Sequence, residues 1–500
     1  MLEGADLHIF AHPRFRKSLV SGVALVVAVA VTAVAVSWRL SGGPTTESRL
    51  RTHLKTLLRD PRLASAQSGA DVRDARTGKT LFAKDPTKTL IPGSNQKLLT
   101  TAAALEVLGP GHRFSTRVLA TAKPGHRMDG DLFLQGTGDP SIRPADYDAL
   151  AGRLASFGIK EVAGRLVADD TWFDGQRLGS DWDVGDESSY DSAQISALTV
   201  SPDSDDDAGS VMVEVDPGAN RPQVRLAPDP GKFFTVVNRT TRGHGPTNIT
   251  MQRERGGNRI VVAGEMAAGA PPLMRPVSVW DPTRYATALF RKALTDHGIR
   301  VGGPTVEHAA PPGARQLASH ESAPLSSLVV PLLKRSNSTM AEVLVKSMGQ
   351  HAMHQGTWAA GLATVSKFLT RMGIRALRLR DGSGLSSMDA VSPREITTLL
   401  FGARRKPWFG TFHDALPVAG NPDRMIGGTL ADRMRNGPAA GRVNAKTGTL
   451  TGVSCLSGYV TTSTGKPLVF SLMINGLLTE PPKDLEDAFA DRLAAYSLRG

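Results

Sequence analysis

Apolar and polar positions change their pattern four times along the chain. The first stretch, Leu19 to Val36, carries no charge, consists mostly of Val, Ala and Leu, and follows Arg14, Arg16 and Lys17. A helix of that length spans roughly 27 Å, close to the thickness of bilayer hydrocarbon. The basic flank predicts a cytoplasmic tail over 1–18, a membrane anchor over 19–37 and a linker over 38–49. The run is longer than a usual signal-peptide core, which favours an uncleaved anchor. Cleavage after Ala35 is the alternative and would make the protein secreted. Next, Leu50, Leu54, Leu57 and Leu58 follow the helical period until Asp60-Pro61 stops it, and 68–83 alternates as a hairpin turning at Thr77-Gly78. Leu98 to Leu105 is apolar, Ala-rich and free of Gly and Pro, which predicts a buried helix behind the loop residues Pro92-Gly93. Short strands then dominate 116–274, among them 117–121, 131–135, 211–215, 234–238, 249–253 and 259–263, broken by a helix over 144–157. The helical pattern returns over 282–297, 325–333 (where Pro331 predicts a kink or an end), 340–348 and 357–372. A hairpin of 453–461 and 468–474 and a helix over 484–496 close the chain. These patterns predict a main domain in two parts, 50–115 and 275–500, around a β-rich insert over 116–274.

Composition narrows the compartment and the partners. At 500 residues the chain exceeds what one core organises. Its formal charge of +12 suits an anionic environment. The basic residues are dispersed, with no run interleaved with aromatics, so nucleic acid is not expected; a negatively charged cell envelope fits better. Cys455 is the only cysteine, which excludes an internal disulfide. His351 and His354 stand three apart without an evident third ligand and read as exposed structural residues; no metal and no cofactor are expected. The acidic groups Asp181–Glu187 and Asp203–Asp207 read as solvated loops, and Gly136–Pro140 as a tight turn.

Candidate chemistry lies in three places. Ser94 stands at the start of the buried helix, and Lys97, three residues on, shares its face. The helix dipole favours an alkoxide on Ser94, and the apolar run disfavours charge on Lys97, which makes that lysine a general base. The loop Lys334-Arg335-Ser336-Asn337-Ser338 supplies further hydroxyls. Ala445-Lys446-Thr447-Gly448-Thr449-Leu450 has the texture of an edge strand on which Gly448 lets a substrate backbone approach. A nucleophile with its base, a second hydroxyl for proton relay, a fixed cation and an N–H on an edge strand together suffice for acyl transfer.

These tags, S-x-x-K, Ser336-Asn337-Ser338 in the place of S-x-N, and K-T-G, are those of the penicillin-recognising serine enzymes. Over about 50–500 the chain resembles the class C low-molecular-mass penicillin-binding proteins, the D-alanyl-D-alanine carboxypeptidase/endopeptidase family. The resemblance also rests on Gly136–Pro140, Ser192–Thr199 and Asp381-Gly382-Ser383-Gly384-Leu385-Ser386. The long interval between Lys97 and Ser336 leaves room for the family's insert. The resemblance implies an α/β (α+β) fold of the serine transpeptidase/β-lactamase type: an antiparallel sheet flanked by helices, interrupted by the insert, here with an N-terminal transmembrane helix. It implies catalytic roles for Ser94, Lys97, Ser336, Ser338 and Lys446, and substrate binding by Thr447, Gly448 and Thr449. The implied partners are peptidoglycan stem peptides ending in D-Ala-D-Ala and β-lactams, and the implied place is the outer side of a bacterial membrane. Ser338 stands where the family has Asn; a hydroxyl cannot make an amide's pair of contacts, which predicts a slower enzyme. Two rival readings are a degenerate relative that binds or scaffolds wall peptides, and a β-lactamase or esterase on the same fold.

Overall fold

The computed structural model describes residues 46–375 and 377–497. The expected tail, the anchor over 19–37 and most of the linker lie outside the described residues. Among those described, no helix is long and apolar enough to cross a membrane. The linker expected over 38–49 is shorter than its reading, because a helix already begins at Thr46 and buries Leu50 and Leu54.

Five strands form the central antiparallel sheet, in the order Val443–Leu450, Val453–Thr461, Pro467–Asn475, Gln67–Asp74 and Thr80–Lys84. The two hairpins read from opposite ends of the chain therefore meet, with Val72 opposite Phe470. Side chains alternate across the sheet. Phe470, Leu472 and Ile474 join the cluster under the helices Thr46–Leu57 and Lys483–Ala494, whereas Val469 and Met473 enter the larger core on the other face. That larger core holds the helices Gln96–Val107, Leu325–Lys334, Ser338–Met353, Trp358–Arg371 and Pro393–Ala403. Gln96–Val107 is its axis: every residue from Gln96 to Leu105 is buried, the apolar run Leu98–Leu105 as expected and the polar Gln96, Lys97, Thr100 and Thr101 with it. The helix does not end at Pro331, one of the two outcomes expected there, but runs on to Lys334. Burial of Leu328, Val329, Leu332 and Leu333 on one face outweighs the backbone bond that proline forfeits.

The β-rich insert ends later than the pattern suggested. A five-stranded sheet, ordered Thr305–Glu307, Leu166–Asp169, Leu132–Gly136, Ser115–Ala120 and Arg315–Glu321, carries it to Glu321 rather than Met274. The amphipathic helix Pro282–Asp296 looked like a return to the main domain, but its Tyr285, Phe290 and Leu294 pack with Val118, Leu134 and Leu166 of the insert. Three smaller three-stranded sheets complete the insert among the described residues.

Candidate active site

Ser94 sits in a single tight helical turn, Gly93–Asn95, that feeds directly into the helix Gln96–Val107. This turn is pressed against the edge strand Val443–Leu450. Gly93 has φ +50°, and a Cβ there would lie 3.2 Å from the Thr449 nitrogen, so Thr449 stands close against the nucleophile turn. A Cβ on Gly448 would stand 2.5 Å from the Pro92 carbonyl oxygen. The sequence assigned the bareness of Gly448 to the approach of a substrate; the structure gives that space to the protein's own nucleophile loop.

Lys97 is fully buried. Its Nζ lies 3.0 Å from Ser94 Oγ, 3.3 Å from Ser338 Oγ and 2.9 Å from the Ser383 carbonyl oxygen. Burial pulls its pKa down to about 8, against the attraction of Asp191, Asp381 and Glu342. The Ser383 carbonyl is itself held in place. Glu342, on the helix Ser338–Met353, accepts bonds from the Gly382 and Ser383 amides and from Trp358 Nε1. Asp381 accepts from the Gly384 and Ser386 amides and from Trp182 Nε1. Burial and the neighbouring charge of Asp381 raise the Glu342 carboxyl to about 7.

On the opposite wall, Ser336 adopts a left-handed φ of +63°, unusual for a residue with a side chain. Its Oγ accepts a bond of 2.9 Å from Lys446 Nζ, which also donates to the Thr447 carbonyl. Lys446 is fully buried, and burial, with Lys97 and Lys483 adding to it, holds its pKa well below the ordinary value. Asn337 turns away from the site. Its Oδ1 caps the helix at the Met340 amide, and its Nδ2 donates to the Asp206 carbonyl and to Asp207 Oδ1. It cannot replace the missing amide at 338; Ser338 itself keeps the contact with Lys97.

Ser94, Ser336, Ser338, Thr447 and Thr449 line one cavity of about 250 Å³, with Lys97 and Lys446 buried behind the hydroxyls they touch. Tyr190, Asp191, Arg335, Leu385, Thr429 and Leu450 complete the lining. Arg335, Leu385 and Leu450 lie in motifs already quoted from the sequence, whereas Tyr190, Asp191 and Thr429 were not singled out. Thr429 was hidden because its only mark is spatial, a hydroxyl 2.9 Å from Thr447 Oγ1. Asp191 lies just beyond the acidic group Asp181–Glu187 and drew no reading of its own, yet burial raises its carboxyl while Lys97 and Lys446 oppose the rise. The second acidic group is a correction. Asp206 and Asp207 are buried rather than solvated, and burial lifts them to about 6 and about 7. Arg335 pairs with Asp205 across this cluster and fixes the loop that carries Ser336.

Arrangements of this kind support nucleophilic acyl transfer: a hydroxyl beside a desolvated lysine, a second hydroxyl–lysine pair, and an edge strand close against the nucleophile turn. Comparison with known proteins agrees. Residues 50–496 match the D-Ala-D-Ala carboxypeptidase 3 (S13) family. A D-alanyl-D-alanine carboxypeptidase of Actinomadura sp. (strain R39) is 44% identical over 467 residues, covering 91% of this chain and 86% of that protein. The D-alanyl-D-alanine carboxypeptidase DacB of Haemophilus influenzae is 26% identical over 400 residues, covering 78% and 81% of the two chains. The crystal structure of penicillin binding protein 4 from Haemophilus influenzae matches with a TM-score of 0.76 at 24% identity, over 88% of this chain and 98% of that one, a likeness of fold. With Ser94 on the cavity wall against a buried Lys97 and the match running almost the whole length of the described residues, this chain belongs to the D-Ala-D-Ala carboxypeptidase 3 (S13) family.

Proposed function

We propose that this serine D-Ala-D-Ala peptidase works through an acyl-enzyme on Ser94. The observation that carries the reading is Lys97 Nζ, fully buried and 3.0 Å from Ser94 Oγ, with its pKa lowered to about 8. In its neutral form Lys97 takes the Ser94 proton, and Oγ attacks the carbonyl of the penultimate D-alanine of a stem peptide. The developing oxyanion lies against the amides of Ser94 and Thr449. The C–N bond then breaks. Ser336 passes a proton to the leaving amine, which is free D-alanine or the cross-linked partner strand, and Lys446 behind it restores the hydroxyl. Thr447 and Thr449 hold the terminal carboxylate, backed by the charge of Lys446. The proton that Lys97 took passes on to refill Lys446, which leaves Lys97 neutral; water then enters, Lys97 again acts as base, and hydrolysis of the ester returns a proton to Ser94. β-Lactams present a strained amide to the same serine and stall at the acyl-enzyme. Residues 19–37 keep the enzyme attached at the outer face of the membrane, a reading supported by their length and basic flank.

Product analysis tests the reaction. Incubation with purified disaccharide-pentapeptide and cross-linked dimers releases D-alanine, monomers or both, and the Ser94→Ala variant releases neither. Intact-mass analysis after benzylpenicillin shows one adduct, absent from that variant; an adduct that persists there removes Ser94 from its role. A mature N-terminus immediately after Ala35 in cell-associated protein overturns the anchor.

A further inference from the structure

A second cavity, of about 220 Å³, lies between the insert and the main domain and shares no lining residue with the catalytic one. His112, Arg113, Phe114, Ser115 and Arg117 come from the chain entering the insert, while Ser347 and His351 come from the helix Ser338–Met353. Ser347 stands nine residues beyond Ser338, about 14 Å along that helix. The charge of the lining is one-sided. Two arginines and two histidines line the cavity, no carboxylate lines it, and neither arginine has an ion-pair partner among the described residues. Arg113 spends one nitrogen on the Ser322 carbonyl, and Arg117 makes only a long contact to Ser115 Oγ. Glu321 reaches Ser115 Oγ from outside the lining and leaves both guanidinium groups unpaired. Burial, with the nearby His351 adding to it, lowers the pKa of His112.

An independent observation points into the same space. Ser347 is 4% exposed, and its Oγ has no hydrogen-bond partner. A buried hydroxyl is costly to leave unpaired, so a missing acceptor is the expected remedy. Trp172, 40% exposed at the rim, offers a flat apolar face of the kind that packs against a sugar ring.

We propose that this cavity is a binding site for an oxyanion carried on a saccharide, with a phosphate or carboxylate held between His112, His351, Arg113 and Arg117, Ser347 donating from the floor and the sugar lying on Trp172. Fork-shaped guanidinium donors suit both oxyanions, and an anionic wall glycan carries one or the other. The site is separate from the reaction centre, so it would seat the enzyme on its polymer rather than perform chemistry.

Calorimetric titration of the full chain at low salt with glucose 1-phosphate, glucuronic acid, inorganic phosphate and neutral glucose tests it. Saturable millimolar or tighter binding of glucose 1-phosphate or glucuronic acid is expected, with glucose silent. The anion that binds identifies the source as phosphate or carboxylate. The double variant Arg117→Gln/His351→Gln should bind at least tenfold more weakly while its benzylpenicillin acylation stays unchanged. Ser347→Ala should weaken binding severalfold without lowering Tm, since its hydroxyl has no partner to lose; it decides the matter if the double variant does not fold. Absence of saturable binding by all three anions, binding of inorganic phosphate alone, or equal affinity in the folded variants overturns the proposal.

Discussion

The protonation of Lys97 gives the proposed mechanism its sharpest test. A base with a pKa of about 8 is neutral in about 1% of molecules at pH 6, about 9% at pH 7 and half at pH 8. If acylation needs the neutral amine, the rate of acylation by benzylpenicillin rises close to tenfold from pH 6 to pH 7. It rises about another fivefold to pH 8 and flattens above pH 9. The groups that set this midpoint are known by name. Burial lowers it, and Asp191, Asp381 and Glu342 pull it back up. Asp381 and Glu342 also hold the loop that carries the Ser383 carbonyl, so Asp191 is the one to change. Asp191→Asn removes a negative charge from the cavity wall without a hydrogen bond to either catalytic lysine, and the midpoint should move to lower pH. Stopped-flow acylation of wild type and variant from pH 5.5 to 10, with intact mass to confirm full occupancy, reads both effects. A rate that is flat between pH 6 and 8, or a midpoint that moves up in Asp191→Asn, refutes the assignment of Lys97 as the base.

Four further outcomes follow from the same geometry. Below about pH 8 a buried Lys97 is protonated in both folded and unfolded chains and costs stability, and as pH rises past 8 towards 10.5 that cost is lost; the difference between 10.5 and about 8 corresponds to about 3 kcal/mol. Lys97→Met should therefore abolish acylation while raising Tm at pH 7, measured by calorimetry, and a fall in Tm counts against a strained lysine. Ser338→Asn restores an amide beside Lys97 and should speed acylation by penicillin and by a D-Ala-D-Ala peptide together, by about tenfold for a gained hydrogen bond; an unchanged or lower rate means the site has re-formed around the serine. Gly448→Ala drives a Cβ to 2.5 Å from the Pro92 oxygen and should displace the nucleophile turn, lowering acylation at least a hundredfold in a chain that still folds by circular dichroism. Lys446→Ala should harm peptides with a free C-terminus more than their amidated analogues in kcat/KM, and an equal loss for both would assign Lys446 to structure alone.

Much of this was legible in the chain itself. The turn residues Ser463-Thr464-Gly465-Lys466 marked Val453–Thr461 as one arm of a hairpin, and the period of Leu50, Leu54 and Leu57 marked the first described helix. Short motifs also carry their own chemistry, so Ser94, Lys97, Ser336, Ser338 and Lys446 were readable before their geometry was known. What periodicity cannot report is which core an apolar face joins. Pro282–Asp296 has the pattern of a main-domain helix and packs in the insert, so the boundary at 274 fell short of Glu321. Nor does composition separate a solvated aspartate from a buried one. Asp191, Asp206 and Asp207 differ from Asp203 in their partners from distant segments, Lys97 and Arg335 among them, and those partners exist only in three dimensions. Gly448 failed for a related reason: a bare position signals close approach without naming what approaches.

The pairing of Gln67–Asp74 with Pro467–Asn475 has a consequence for how the chain becomes active. The nucleophile belongs to the first fifth of the sequence, but its edge strand, its second lysine and two strands of its sheet are made last. Contacts of such long sequence separation form late, because the loop between them must be closed first. A chain still being synthesised or exported up to Arg442 holds Ser94 and Lys97 with no Thr449 amide beside them and no Lys446 behind Ser336. If Ser94 acts as proposed, such a chain is silent as a hydrolase. On that reading the last sixty or so residues complete the site, and a C-terminally clipped chain should show no acylation by benzylpenicillin.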